Sequence, residues 1–174
     1  MQKPNIILVG LMAVGKSTVG RLLAQSLGFV FYDSDQVIEE RAGASISWIF
    51  DVEGEVGFRD REEHVLDDLT RQQGIVLATG GGAVLRPANR KVLANRGIVV
   101  HLDSPLDRLV QRTRRDRKRP LLQQGNPRAT LARLQNEREP LYREIADYRF
   151  VTDRQGPKAL ARQIVDKLKE DGLV

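Results

Sequence analysis

The chain has 174 residues, 41% of them hydrophobic and none of them cysteine. That length and apolar content fill one sizeable core, so a single domain over residues 1–174 is expected, and disulfide frameworks, thiolate metal sites and cysteine nucleophiles are excluded. Lys and Arg number 28 against 23 Asp and Glu, a net +5 that superficially suits a nucleic-acid binder. The stretch Arg108–Arg119 alone carries seven basic side chains and one acid, which leaves the rest of the chain at −1.

In chain order, Asn5–Val9 is a short apolar run closed by Gly10. It is too short for a membrane span or a secretory signal, which predicts a cytoplasmic protein, and it reads as a buried parallel strand. Gly10-Leu11-Met12-Ala13-Val14-Gly15-Lys16-Ser17 then fits G-x-x-x-x-G-K-[ST], with Thr18 following. Glycines let backbone N–H groups turn inward around an anion, Lys16 reaches the β- and γ-phosphates, Ser17 offers a hydroxyl to Mg²⁺, and the next helix adds its dipole. A chance match in a chain this long is on the order of one per cent, and the motif lies between a predicted strand and a predicted helix. It implies a nucleoside triphosphate but not the acceptor.

The helix after it shows Val19, Leu22, Leu23 and Leu27 on one face and is stopped by Gly28. Phe29–Tyr32 is a second strand, ended by Asp33-Ser34-Asp35. Two carboxylates one residue apart on extended backbone share a face, so one could hold a magnesium-bound water while the other accepts a hydrogen bond from a substrate hydroxyl. The alternative is an aspartate capping the next helix. Arg59 lies in Gly57-Phe58-Arg59-Asp60-Arg61-Glu62-Glu63. Ile75–Ala78 is a third strand, followed by Thr79 and by Gly80, Gly81 and Gly82, which suit close approach of a small polar ligand.

Gly97–Leu102 is a fourth strand, and Ser104-Pro105 offers an N-cap and a first-turn proline to a helix through Leu106, Leu109 and Val110. Arg112–Asn126 lacks apolar periodicity and reads as an excursion from the core. Its basic cluster is either a solvated face or a lid that sets an arginine where charge builds on a transferring phosphoryl group. Asn126-Pro127 starts another helix, through Leu131 and Leu134, that carries Arg138 in Asn136-Glu137-Arg138-Glu139-Pro140-Leu141-Tyr142. Tyr148–Val151 is a weaker fifth strand, and Leu160, Ile164, Val165 and Leu168 mark a last helix. Arg59 or Arg138 alone reads as a solvated helix charge; if they converge they make a carboxylate clamp. Strands alternating with helices predict an α/β domain with a parallel sheet that binds ligands at the strands' carboxyl ends.

With GLMAVGKST, FYDSD, GFRDRE, LATGGG, KRPLL and NEREPLY in this order and spacing, the chain resembles the shikimate kinase family, most of all its bacterial monofunctional form, from about Asn5 to the last helix. The resemblance implies a P-loop kinase fold of the nucleoside-monophosphate-kinase type, a five-stranded parallel sheet flanked by helices, with a substrate-binding segment at about 33–62 and a lid at about 112–126. It implies transfer from ATP to the 3-hydroxyl of shikimate on the route to aromatic amino acids, by a monomer that binds neither nucleic acid nor membrane. Ala13, Val14, Gly15, Lys16, Ser17 and Thr18 are then expected at ATP, with Ser17 and Asp33 at Mg²⁺. Arg112 and Gln155 are expected against the adenine and Arg119 over the phosphates from the lid. Asp35 is expected at the acceptor hydroxyl, and Arg59, Gly81 and Arg138, flanked by Gly80 and Gly82, around shikimate. Lys16, Asp35 and Arg119 carry the catalytic roles.

The chain departs from the family at Ala13, usually glycine, and at Leu11, often proline. A Cβ at position 13 restricts the loop if the backbone there needs positive φ. Two rivals remain at this point. One is a kinase of the same fold with gluconate or a nucleoside monophosphate as acceptor, though a carboxylate clamp opposite a hydroxyl does not suit a nucleobase. The other is a non-catalytic nucleic-acid-binding protein, which the 5% aromatic content and the absence of aromatics in the basic stretch disfavour.

Overall fold

The apolar runs become strands where their backbones pair in parallel: β1 (Ile6–Val9), β2 (Val30–Asp33), β3 (Ile75–Ala78), β4 (Ile98–Asp103) and β5 (Tyr148–Val151). A computed structural model describes residues 3–114, 126–152 and 155–174. The strands form one sheet in the order β2-β3-β1-β4-β5. The predicted ends of β2 and β4 shift by one residue. Continuous burial holds for the inner strands β1 and β3, whereas β2 and β5 are edges, and Val30 is exposed.

The helices are α1 (Lys16–Leu27), α2 (Ser34–Ala42), α3 (Ile46–Thr70), α4 (Pro87–Arg96), α5 (Leu106–Thr113), α6 (Pro127–Ile145) and α7 (Gly156–Glu170). Helix α1 buries Val19 and Leu23 as predicted and ends at Gly28 with φ 69°. Asn126 caps α6 through its side chain, which accepts from the Arg128 N–H, and Pro127 opens the first turn. Ser104 does not cap α5. Pro105 holds that place, its carbonyl taking the first helical N–H groups, while the Ser104 N–H is drawn back to Asp103 Oδ1 at 2.8 Å. Helix α3 is kinked at Gly54 (φ 73°, ψ −179°), a conformation available to glycine that turns its second half, with Arg59 and Glu62, into the protein.

Topology then places the site. Helices α1 and α7 pack together, while α3, α4 and α6 contact one another in sequence. Right-handed crossovers set these groups on opposite faces, because β1 to β2 runs one way across the sheet and the later connections run the other. The order therefore reverses between β1 and β3, and a crevice opens at their carboxyl ends. Register puts Asp33 beside Ala78 and Val9 beside His101, so the P-loop, the acidic turn and the three glycines leave the sheet at one level.

Candidate active site

The P-loop turns from β1 into α1 through three residues of positive φ: Gly10 (151°), Ala13 (66°) and Gly15 (100°). Ala13 is the one non-glycine residue so placed among the described residues, and its Cβ costs about 1–2 kcal/mol there. The Lys16 ammonium is buried and donates to the carbonyls of Gly10 (2.6 Å) and Leu11 (2.9 Å). A cavity of about 320 Å³ opens on this loop, lined by Ala13–Thr18, Asp33, Asp35, Thr79, Arg112, Thr152 and Gln155 among others. All the expected nucleotide residues outside the lid lie on its wall. Arg119 and all but the ends of the proposed lid fall outside the described residues. Gln155 is exposed at the N-cap of α7, its amide donating to Gln163.

The acidic turn differs from the sequence expectation. Helix α2 begins at Ser34, so Asp33 and Asp35 do not share an extended face. Asp33 is the helix cap, its Oδ1 accepting from the N–H groups of Asp35 and Gln36, while its Oδ2 accepts the Ser17 hydroxyl at 2.5 Å. Asp35, in the first turn of the helix, points instead at the glycine turn. A Cβ built on Gly80 would lie 2.7 Å from its Oδ1 and 3.1 Å from Glu62 Oε2.

The same turn receives both arginines. A Cβ on Gly81 would lie 3.2 Å from an Arg138 Nη atom, and one on Gly82 would lie 2.4–2.6 Å from the Arg59 guanidinium. None of the three glycines has positive φ, so they are needed for the room they leave. The solvated reading of the arginines fails, since Arg59 is 7% and Arg138 is 4% exposed. Charged groups so buried persist only when paired; Arg59 meets Glu55 Oε1 at 3.4 Å, and its buried partner is Glu62. It is 0% exposed and accepts from Arg59 Nη1 at 2.9 Å. Its other oxygen, like the Nε of each arginine, has no partner among the described residues, so the cluster retains polar capacity for a ligand.

Glu62 was not singled out by its sequence context, although its i+3 spacing from Arg59 is a signal for the pair. Burial raises the Glu62 carboxyl above the ordinary glutamate value, Arg59 lowers it, Asp35 raises it further and Arg138 lowers it, with burial prevailing. Tyr142, also missed, is one turn beyond Arg138. Its buried hydroxyl donates to the Gly81 carbonyl at 2.5 Å, and burial raises its pKa, so it stays a neutral donor. His101 packs beside it with ring centroids 5.0 Å apart, and burial lowers the pKa of the imidazole.

The site therefore has two compartments. An anion cradle with a hydroxyl–carboxylate pair beside it meets a buried cluster of two arginines and a glutamate, with Asp35 touching both. The model of the family described as "Shikimate kinase" matches residues 12–169 of this chain. The chain belongs to the shikimate kinase family. It is 60% identical to a shikimate kinase of Vibrio parahaemolyticus over 97% of this chain and 98% of that one. It is similar in structure to a shikimate kinase from Acinetobacter baumannii in complex with shikimate, with TM-score 0.95, 50% identity, and 99% and 96% of the two chains covered. A shikimate kinase from Bacteroides thetaiotaomicron superposes with TM-score 0.87 at 30% identity, over 95% of this chain and 98% of that one. Family membership thus agrees with the architecture of five parallel strands flanked by helices. Among the described residues no helix is long and apolar enough to cross a membrane.

Proposed function

We propose that this chain is a shikimate kinase that uses ATP and Mg²⁺ to phosphorylate the 3-hydroxyl of shikimate, yielding shikimate 3-phosphate and ADP on the route to aromatic amino acids. The observation that carries the reading is the convergence of Arg59, Arg138 and Asp35 on Gly80–Gly82 next to the P-loop cavity. A carboxylate clamp and a hydroxyl acceptor side by side fit a small hydroxylated acid.

The residues present fit the nucleotide and its cation. Ala13–Thr18 line a cavity of suitable size, and the Ser17 hydroxyl with the Asp33 carboxylate is a pair of hard oxygens. Two protein oxygens, one of them acting through water, leave the remaining shell to phosphate and water, the usual condition of Mg²⁺. Bound ATP–Mg²⁺ supplies the phosphoryl group and screens its charge. The protein does the rest by positioning and electrostatics. Lys16 exchanges its loop carbonyls for phosphate oxygens. Arg59 and Arg138 hold the shikimate carboxylate, Glu62 holds Arg59 in place, and Asp35 accepts the hydrogen bond of the 3-hydroxyl and takes its proton. Arg119, outside the described residues, is assigned by the family resemblance to the charge on the transferring phosphoryl group. The enzyme works as a cytoplasmic monomer.

The test is a coupled ADP-release assay with shikimate, gluconate and AMP offered side by side. Turnover with shikimate alone is expected. Turnover with gluconate or AMP and none with shikimate would overturn the assignment.

A further inference from the structure

The P-loop is braced from outside itself. Arg112, in the last turn of α5, sends one guanidinium nitrogen, Nη1, to two consecutive loop carbonyls, Ala13 O at 3.1 Å and Val14 O at 2.9 Å. The same nitrogen sits where a Cβ on Gly15 would come within 3.3 Å of it, so it lies against the crown of the loop. The two bonded carbonyls are that of Ala13, which holds φ 66° with a side chain that disfavours it, and that of the residue after it. An L-residue in that region relaxes by turning its peptide unit, and that motion would carry the Ala13 carbonyl away from its donor. In a planar trans peptide the C=O and the next N–H point in opposite directions. An arginine that fixes the Val14 carbonyl therefore also fixes the direction of the Gly15 N–H, one of the groups available to a phosphate.

We propose that Arg112 is a positioning residue for the phosphate loop, holding the strained Ala13 peptide so that the loop's N–H groups are set for a polyphosphate, independently of any contact with a nucleobase. The inference rests on reading the loop as a triphosphate site. It explains how the chain accommodates alanine at position 13: the hydrogen bonds from α5 offset the strain that the Cβ introduces.

The experiment uses inorganic tripolyphosphate with Mg²⁺, which has no base, and measures its affinity by calorimetry for the parent, Arg112→Ala, Ala13→Gly and the double variant, with Tm recorded for each. Arg112→Ala is expected to weaken tripolyphosphate binding about tenfold in the parent and about threefold or less once Ala13 is glycine, because the loop then carries no strain to hold. Unchanged tripolyphosphate affinity with weakened ATP affinity in Arg112→Ala would overturn the proposal and leave Arg112 a contact of the base alone. Equal losses in both backgrounds would overturn it too, assigning Arg112 a plain charge effect on the anion. Failure of the parent to bind ATP at all would instead overturn the triphosphate reading of the loop.

Discussion

Replacing Gly82 with alanine sets a methyl carbon 2.4 Å from Arg59 Nη2 and 2.6 Å from its Cζ and Nη1, where ordinary contact begins near 3.4 Å. The guanidinium must retreat by about 1 Å, which stretches its 2.9 Å hydrogen bond to Glu62 Oε1 beyond the usual limit of ~3.2 Å. The displaced atoms end a flexible side chain, so the fold survives. The loss is one charge-assisted hydrogen bond on a fully buried carboxylate, and about 2 kcal/mol of stability is expected to go with it. The functional loss is larger, because the same guanidinium is half of the proposed carboxylate clamp. Misplacing it forfeits an interaction worth about 1.5–3 kcal/mol, a roughly 10- to 100-fold weaker shikimate affinity. The carboxylate is remote from the transferred group and is held alike in ground and transition states, so KM rises while kcat stays within about threefold. Steady-state kinetics, shikimate calorimetry and urea denaturation measure these effects. Gly43→Ala is the control. Its Cβ meets nothing within 4 Å but its φ is 65°, so it should cost about 1 kcal/mol of stability and leave KM alone. Parental shikimate affinity in Gly82→Ala would refute the reasoning that the glycine turn makes room for the clamp.

Asp35→Asn removes the proton acceptor while the arginine cluster stays; kcat should fall by about 10²- to 10⁴-fold with shikimate affinity little changed, and a parental rate would remove Asp35 from the chemistry. Glu62→Gln tests the buried carboxyl. Its folded pKa is raised above the ordinary 4.5 by burial, so its contribution to stability is full below that value and is lost as pH rises through the folded pKa. The Tm of the glutamine variant relative to the parent should therefore increase from pH 4 to pH 8, and a flat difference would show that the carboxyl is not perturbed in the folded state.

How much of this was legible in the sequence depends on what each residue's role required. Strands β1 and β3, the P-loop, the Gly28 stop and the Asn126 cap are local matters of apolar runs, glycine and capping oxygens, and the structure agrees with them. The capping role of Asp33 was legible, because an aspartate just ahead of Gln36-Val37-Ile38 can accept the first free N–H groups of a helix. The shared-face geometry for Asp33 and Asp35 failed because Asp33's own capping bonds start α2 at Ser34, which turns Asp35 toward Gly80. Arg59 and Arg138 read alone as solvent charges, since burial of an arginine is decided by partners far away in the chain: the kink at Gly54, the space left by Gly81 and Gly82, and the buried Glu62. Glu62 itself was hidden among Asp60, Arg61 and Glu63, which make ordinary exposed ion pairs. The contact of Arg112 with the P-loop joins residues 99 and 98 positions apart, and no local pattern announces it. The basic excess has a local meaning: it begins at Arg108 within α5, the helix whose last turn sends Arg112 to the carbonyls of the P-loop.

The central claim is that Arg59 and Arg138 hold the carboxylate of the acceptor while Asp35 meets its hydroxyl. The most direct measurement compares kcat/KM for shikimate with that for its methyl ester, which keeps every hydroxyl and loses only the anionic carboxylate. Losing charge-assisted bonds to two buried arginines amounts to about 3–6 kcal/mol, so the ester should be poorer by roughly 10²- to 10⁴-fold. Equal kcat/KM for acid and ester would contradict the clamp.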